Sequence, residues 1–272
     1  TFSAGSVAFT FGTLPASTTL RELALGGVAL DVAGFVQLSG DFAFRTESTT
    51  VRLGDGSTAA VDLLALGAAN AEAFVGARGG TADAVGLELD AVDFGLLLLS
   101  EDGGASRSWT ALQGTVGEAA LVGVPGLTLA VSEFGLALNR AATDGSLVDF
   151  AAVPYTVATG PSDALEVSLD AAEGAMTRAA GTVDLDLFGF ASVSGSLAFE
   201  KGNRTVTLDD GSTVATEALL VGGTGLDAFV GTNGGTAGAV GLSLEDLSFG
   251  LALLSETAGS RSWTAVTATA GG

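Results

Sequence analysis

Apolar and polar residues alternate with a period of two along most of this chain. That spacing belongs to strands burying one face, and differs from the 3.6-residue stripe of an amphipathic helix. Across residues 185–199 one face carries Leu185, Leu187, Gly189, Ala191, Val193, Gly195, Leu197 and Phe199. The other carries Asp186, Phe188, Phe190, Ser192, Ser194, Ser196 and Ala198. Leu242 and Leu244, then Leu247, Phe249, Leu251 and Leu253, alternate in the same way, with a one-residue shift near Asp246 that predicts a β-bulge. Such runs outlast the usual strand of about five or six residues. Hairpin turns are expected at Asp55-Gly56, Asp144-Gly145 and Asp210-Gly211, since glycine accepts the positive φ that tight turns demand. The alanine-rich stretch 59–73 has no clear helical stripe, although a short helix is the alternative there.

The pattern repeats. Residues 30–101 align without a gap on 185–256, an offset of 155, and 38 of the 72 aligned positions are identical. Asp55-Gly56-Ser57-Thr58 falls on Asp210-Gly211-Ser212-Thr213, and Ala73-Phe74-Val75-Gly76 on Ala228-Phe229-Val230-Gly231. One residue is then lost in a turn, and Ser106-Arg107-Ser108-Trp109 matches Ser260-Arg261-Ser262-Trp263. A weaker offset of 40 relates Gly86-Leu87 and Phe94-Gly95-Leu96 to Gly126-Leu127 and Phe134-Gly135-Leu136. The chain therefore divides into the tail of one repeat (1–29), a complete repeat (30–184) and the first two modules of the next (185–272). The complete repeat has hairpin modules at 30–85, 86–125 and 126–184. The window opens and closes inside modules, so a fragment of a longer array is expected.

An all-β fold follows: an elongated array of stacked long hairpins, either solenoid-like or a two-layer continuous sheet. One hairpin cannot bury its apolar face alone, so stacking supplies the core. The glycine, alanine and serine on the second face let another layer come close. Phe35, Phe94, Phe134, Phe190 and Phe249, each beside a glycine, are expected to form core ladders. An open apolar groove would demand the same alternation.

Composition removes most chemistry. The 272 residues include no histidine and no cysteine, which excludes Ser-His-Asp and Cys-His nucleophile systems and Cys/His metal centres. Ten Lys and Arg stand against 31 Asp and Glu, a net charge of −21 that would repel nucleic acid and anionic lipid surfaces. No stretch is long and apolar enough to predict a membrane span. The same acidity keeps a hydrophobic repeat soluble and suits a saline, extracellular setting, where screening relieves the repulsion.

Few candidate sites remain. Asp55, Asp144, Asp209 and Asp210, in Asp-Gly-Ser turns, offer the oxygen donors that Ca²⁺ takes, although each serves equally as a plain turn residue. Arg107 with Trp109, and Arg261 with Trp263, lie two apart on predicted strands, where guanidinium stacks on indole. The bland role is a register-fixing clasp, and the sharper one is a partner or carbohydrate contact. Carboxylate pairs such as Glu88/Asp90 and Glu166/Asp170 read as the polar sides of half-buried strands, not glycosidase pairs.

Acidic, cysteine-free β repeats of more than a hundred residues, rich in Gly, Ala, Val, Thr and Asp, resemble the giant tandem-repeat proteins secreted or displayed by Gram-negative bacteria, including RTX-type adhesins. The resemblance implies a stalk or adhesive fibre at the bacterial surface, with calcium as a common ligand. The glycine-rich calcium nonapeptide of those proteins is absent here. The expectation is a non-enzymatic structural or adhesive segment, with neighbouring repeats and other copies of itself as the candidate partners. A lipid- or hydrophobe-binding groove and a self-assembling filament subunit are the alternatives.

Overall fold

The computed structural model describes residues 2–4, 7–9, 21–103 and 107–271. Phe2–Ala4 (β1) and Val7–Phe9 (β2) pair with each other. The main body begins with six long strands: Arg21–Val32 (β3), Val36–Arg52 (β4), Thr58–Ala77 (β5), Val85–Glu101 (β6), Ser108–Val122 (β7) and Leu127–Arg140 (β8). After an insert come Met176–Leu187 (β11), Ala191–Thr207 (β12), Thr213–Thr232 (β13), Val240–Glu256 (β14) and Ser262–Thr269 (β15). The insert holds a small hairpin, Tyr155–Ala158 (β9) with Ala164–Val167 (β10), and a 3₁₀ turn at Ala171–Glu173.

All eleven long strands form one antiparallel sheet in the order β15-β14-β13-β12-β11-β8-β7-β6-β5-β4-β3, and the sheet does not close into a barrel. The insert does not interrupt it, because β8 pairs directly with β11 from Met176↔Asn139 to Leu187↔Leu127. Residue 185, where one repeat was expected to hand over to the next, lies inside β11. Strands β11 to β15 reproduce β3 to β7 at the repeat offset. The alanine-rich stretch is strand throughout, as β5 takes partners on both edges.

The alternation survives with one correction. Residues 185–199 are two strands, not one: Phe188 and Gly189 take φ of 55° and 65° and turn the chain between β11 and β12. Ala33 and Gly34 do the same between β3 and β4. Positive φ at both central positions is the twist-matched hairpin geometry. Phe35 and Phe190 consequently sit exposed at these turns and not in a core ladder, whereas Phe94, Phe134 and Phe249 lie half-buried along the sheet. The predicted bulge is present. Asp246 has φ of 50°, its repeat-mate Ala91 has the same value, and the register with the neighbouring strand slips beside each.

The core is local. Residues 141–175 fold back as a cap over one face of β5 to β8 and the start of β11. There Leu63, Leu97, Leu99 and Trp109 of the sheet close against Phe150, Val157 and Val167 of the cap. Backbone stitches fix its rim: Gly54 N–H donates to the Leu147 carbonyl (3.0 Å), and Asp149 N–H to that of Arg52 (2.9 Å).

Candidate functional site

The cap reaches the sheet through a glycine trough. Gly67 of β5 and Gly95 of β6 are direct cross-strand partners. A Cβ on Gly67 would overlap the Ala158 carbonyl oxygen, and one on Gly95 would stand 3.1 Å from Val157 Cγ2. Mid-strand glycine usually weakens a sheet or marks a close approach, and here the cap approaches, with its backbone over Gly67 and its side chains over Gly95.

At the edge of the trough stands the first Arg–Trp pair. Trp109 is 2% exposed, and its indole N–H donates to the Ser146 carbonyl in the cap at 3.0 Å. The Arg107 guanidinium lies 5.3 Å from the centre of the indole, as the two-residue spacing predicts. It also grips Glu101 with Nε at 2.7 Å and reaches Asp144 at 3.5 Å. The Arg107 hydrogen bond holds the Glu101 carboxyl below its usual range. Arg107 thus ties the sheet to the cap.

The second pair repeats this geometry without a cap. Arg261 lies 5.4 Å from the Trp263 ring centre and grips Glu256 with Nε at 2.9 Å and Nη2 at 2.8 Å. Trp263 is half-exposed, and its indole N–H has no partner among the described residues.

The aspartates are brought together only in part. In each of the three Asp-Gly-Ser turns one Asp Oδ1 accepts both the Ser N–H and the Ser hydroxyl: Asp55 at 2.9 and 2.6 Å, Asp144 at 3.0 and 2.6 Å, and Asp210 at 2.8 and 2.6 Å. Those bonds lower all three carboxyl pKa values. Asp55 and Asp144 share Arg107 as their nearby cation, and Asp210 has Arg261. Asp209 occupies the place of Gly54 in the first repeat. Among the described residues no three Asp or Glu side chains gather into a group able to hold a metal ion.

Two features were not singled out from sequence. One is the polar anchor of the cap: Tyr155 donates its hydroxyl to Glu47 Oε1 at 2.6 Å, while Arg45 Nη2 donates to Glu47 Oε2 at 2.6 Å. Burial first, and this bond second, push the Tyr155 phenol up from its ordinary value. Tyr155 and Glu47 are 108 positions apart, and no motif links them.

The other is a ribbon on the reverse face of the sheet. Leu25, Phe42, Ala68, Phe94, Gly114, Leu136, Ala179, Phe199, Val221, Leu251 and Val266 are successive cross-strand partners through all eleven strands. No polar side chain interrupts that row. Phe199 and Val266 in the row are exposed, as are Phe44, Leu98 and Leu253 beside it, while Ala68 and Gly114 are buried.

No family model matches the chain, and no curated protein or solved structure matches it either. Among the described residues no helix is long and apolar enough to cross a membrane.

Proposed function

We propose that this chain is a structural, non-enzymatic segment of an extended extracellular or cell-surface β-repeat protein, a wall-like stalk whose length follows its copy number. One observation carries the reading: hydrogen bonding passes from β8 to β11 without a break, so adjacent repeats share a sheet instead of folding separately. A repeat contributes six strands, and at a spacing of about 4.8 Å each added copy lengthens the wall by about 29 Å. Small-angle scattering on chains with one, two and three added repeats tests this. The longest dimension should grow in steps near that value; growth by compact beads on linkers would defeat the reading. Adhesion belongs to the same proposal. The Asp-Gly-Ser turns act as turns in it: each Asp Oδ1 already accepts two bonds from its own serine, and among the described residues no three carboxylates gather, so Ca²⁺ is expected to shift the melting temperature little.

The reverse-face ribbon favours a second reading, a surface for a lipid or another hydrophobe. An uninterrupted apolar row across eleven strands exceeds the scattered apolar exposure that needs no explanation. Native mass spectrometry of the purified chain separates the two. Retained lipid supports the ribbon as a carrier surface, and a bare chain supports the stalk alone.

A further inference from the structure

The second repeat keeps the seat of the cap with nothing seated on it. Gly222 and Gly250 are the repeat-mates of Gly67 and Gly95 and are again direct cross-strand partners. Both have ordinary extended backbone. A Cβ on Gly222 would come no nearer than 3.8 Å to another atom, and one on Gly250 no nearer than 3.4 Å. Nothing in β13 or β14 therefore requires glycine at either place, whereas in the first repeat cap backbone lies on Gly67 and the Val157 and Leu165 side chains press on Gly95.

The surrounding surface is conserved in volume. The cross-strand pair Ala65–Leu97 beneath the cap becomes Leu220–Ala252, so the large side chain changes strand while the total stays the same. Leu99 is kept as Leu254 and Trp109 as Trp263. Trp263 presents an indole N–H at the position where Trp109 meets the cap carbonyl, and Arg261 has a free side toward the place that Asp144 takes beside Arg107. Leu63 is reduced to Ala218, and Val61 gives way to the polar Thr216.

We propose that the face of β13 to β15 is a docking site for a second cap, a hairpin segment like residues 141–175 carried by a further repeat of the same chain. It rests on the repeat-array reading of the preceding subsection. The incoming backbone would lie in the Gly222–Gly250 trough and one carbonyl would accept the Trp263 N–H, while Thr216 and Ala218 are already buried and leave the contact centred on those three residues. The occupant is assigned to the same chain, because in the first repeat the cap leaves β8 and returns to β11 without crossing to another molecule.

The test is an extended chain in which residues 116–175 follow Thr269, in register with Thr115, with Trp109→Phe so that Trp263 alone reports. Docking should shift Trp263 emission to the blue and cut its acrylamide quenching about threefold or more relative to the unextended W109F chain. Gly222→Val with Gly250→Val should abolish both changes. A parallel version with Ala218→Leu restores the side chain that the first cap meets, so the smaller residue cannot hide docking. Trp263 equally quenched in both versions, or a shift indifferent to the glycine substitutions, overturns the proposal. A shift that rises with protein concentration also overturns it, because a second molecule would then be the occupant. Scattering on the same samples keeps the two ideas apart: a sheet that lengthens while Trp263 stays accessible sinks the docking site and leaves the stalk reading standing.

Discussion

Glycine 67 and its repeat-mate show how one residue type can be compulsory in one place and free in another. Gly67→Val drives a side chain into the Ala158 carbonyl and should cost at least the ~1–3 kcal/mol typical of overpacking, whereas Gly222→Val should leave stability within about 0.5 kcal/mol. Urea unfolding of the two variants checks the contrast. Tyr155 gives a pH prediction. It is the chain's only tyrosine, and its folded-state pKa lies above the ordinary value because burial and the Glu47 bond favour the neutral phenol. Its contribution is therefore complete below the unfolded value of about 10 and is lost as pH rises through the folded value. Absorbance at 295 nm should show no phenolate until well above pH 10, then ionisation together with release of the cap. Tyr155→Phe should lose roughly 1–3 kcal/mol, the worth of a hydrogen bond to a charged acceptor. The Arg–Trp stack was legible from spacing alone, because residues two apart on a strand share a face. The Tyr155–Glu47 contact was not, because only the folded cap brings those residues together.

At the scale of elements, period-two alternation was enough to show long strands, and its one-residue shift was enough to place the bulge at Asp246. The turns at Ala33-Gly34 and Phe188-Gly189 escaped that reading. Leu185 to Phe199 alternates straight through its turn, and phenylalanine seldom takes positive φ, so the alternation masks the reversal that Gly189 allows. The cap escaped for a different reason: it has no second copy in the chain to compare with, and the surface beneath it is built of small residues that look like weak strand. Its dependence on a few anchors can be measured. Phe150 is 2% exposed within the cap core, so Phe150→Ala should cost about 3–5 kcal/mol locally. In a Trp263→Phe background it should expose Trp109 and redden its emission. Hydrogen exchange in β13 and β14 should stay unchanged, because no residue of those strands belongs to that cluster.

For the whole molecule, charge and shape act together. A net charge of −21 spread over an open sheet stores repulsion that added salt relieves. The melting temperature should rise between about 10 and 500 mM NaCl, measured by circular dichroism; a fall would show that the surface ion pairs outweigh the repulsion. The repeat offset was visible in the sequence, and with it the sharing of one wall. Whether that wall would be single-layered was not, because a lone sheet and a stacked pair need the same alternation. Six strands to a repeat has one more consequence. Because the number is even, every copy sets out in the same direction as the last, so Asp55 and Asp210 emerge along one rim and Phe35 and Phe190 along the opposite rim. Gain or loss of an odd number of strands would reverse that parity and put all later caps on the wrong rim, so viable length variants of such an array should differ by whole hairpins.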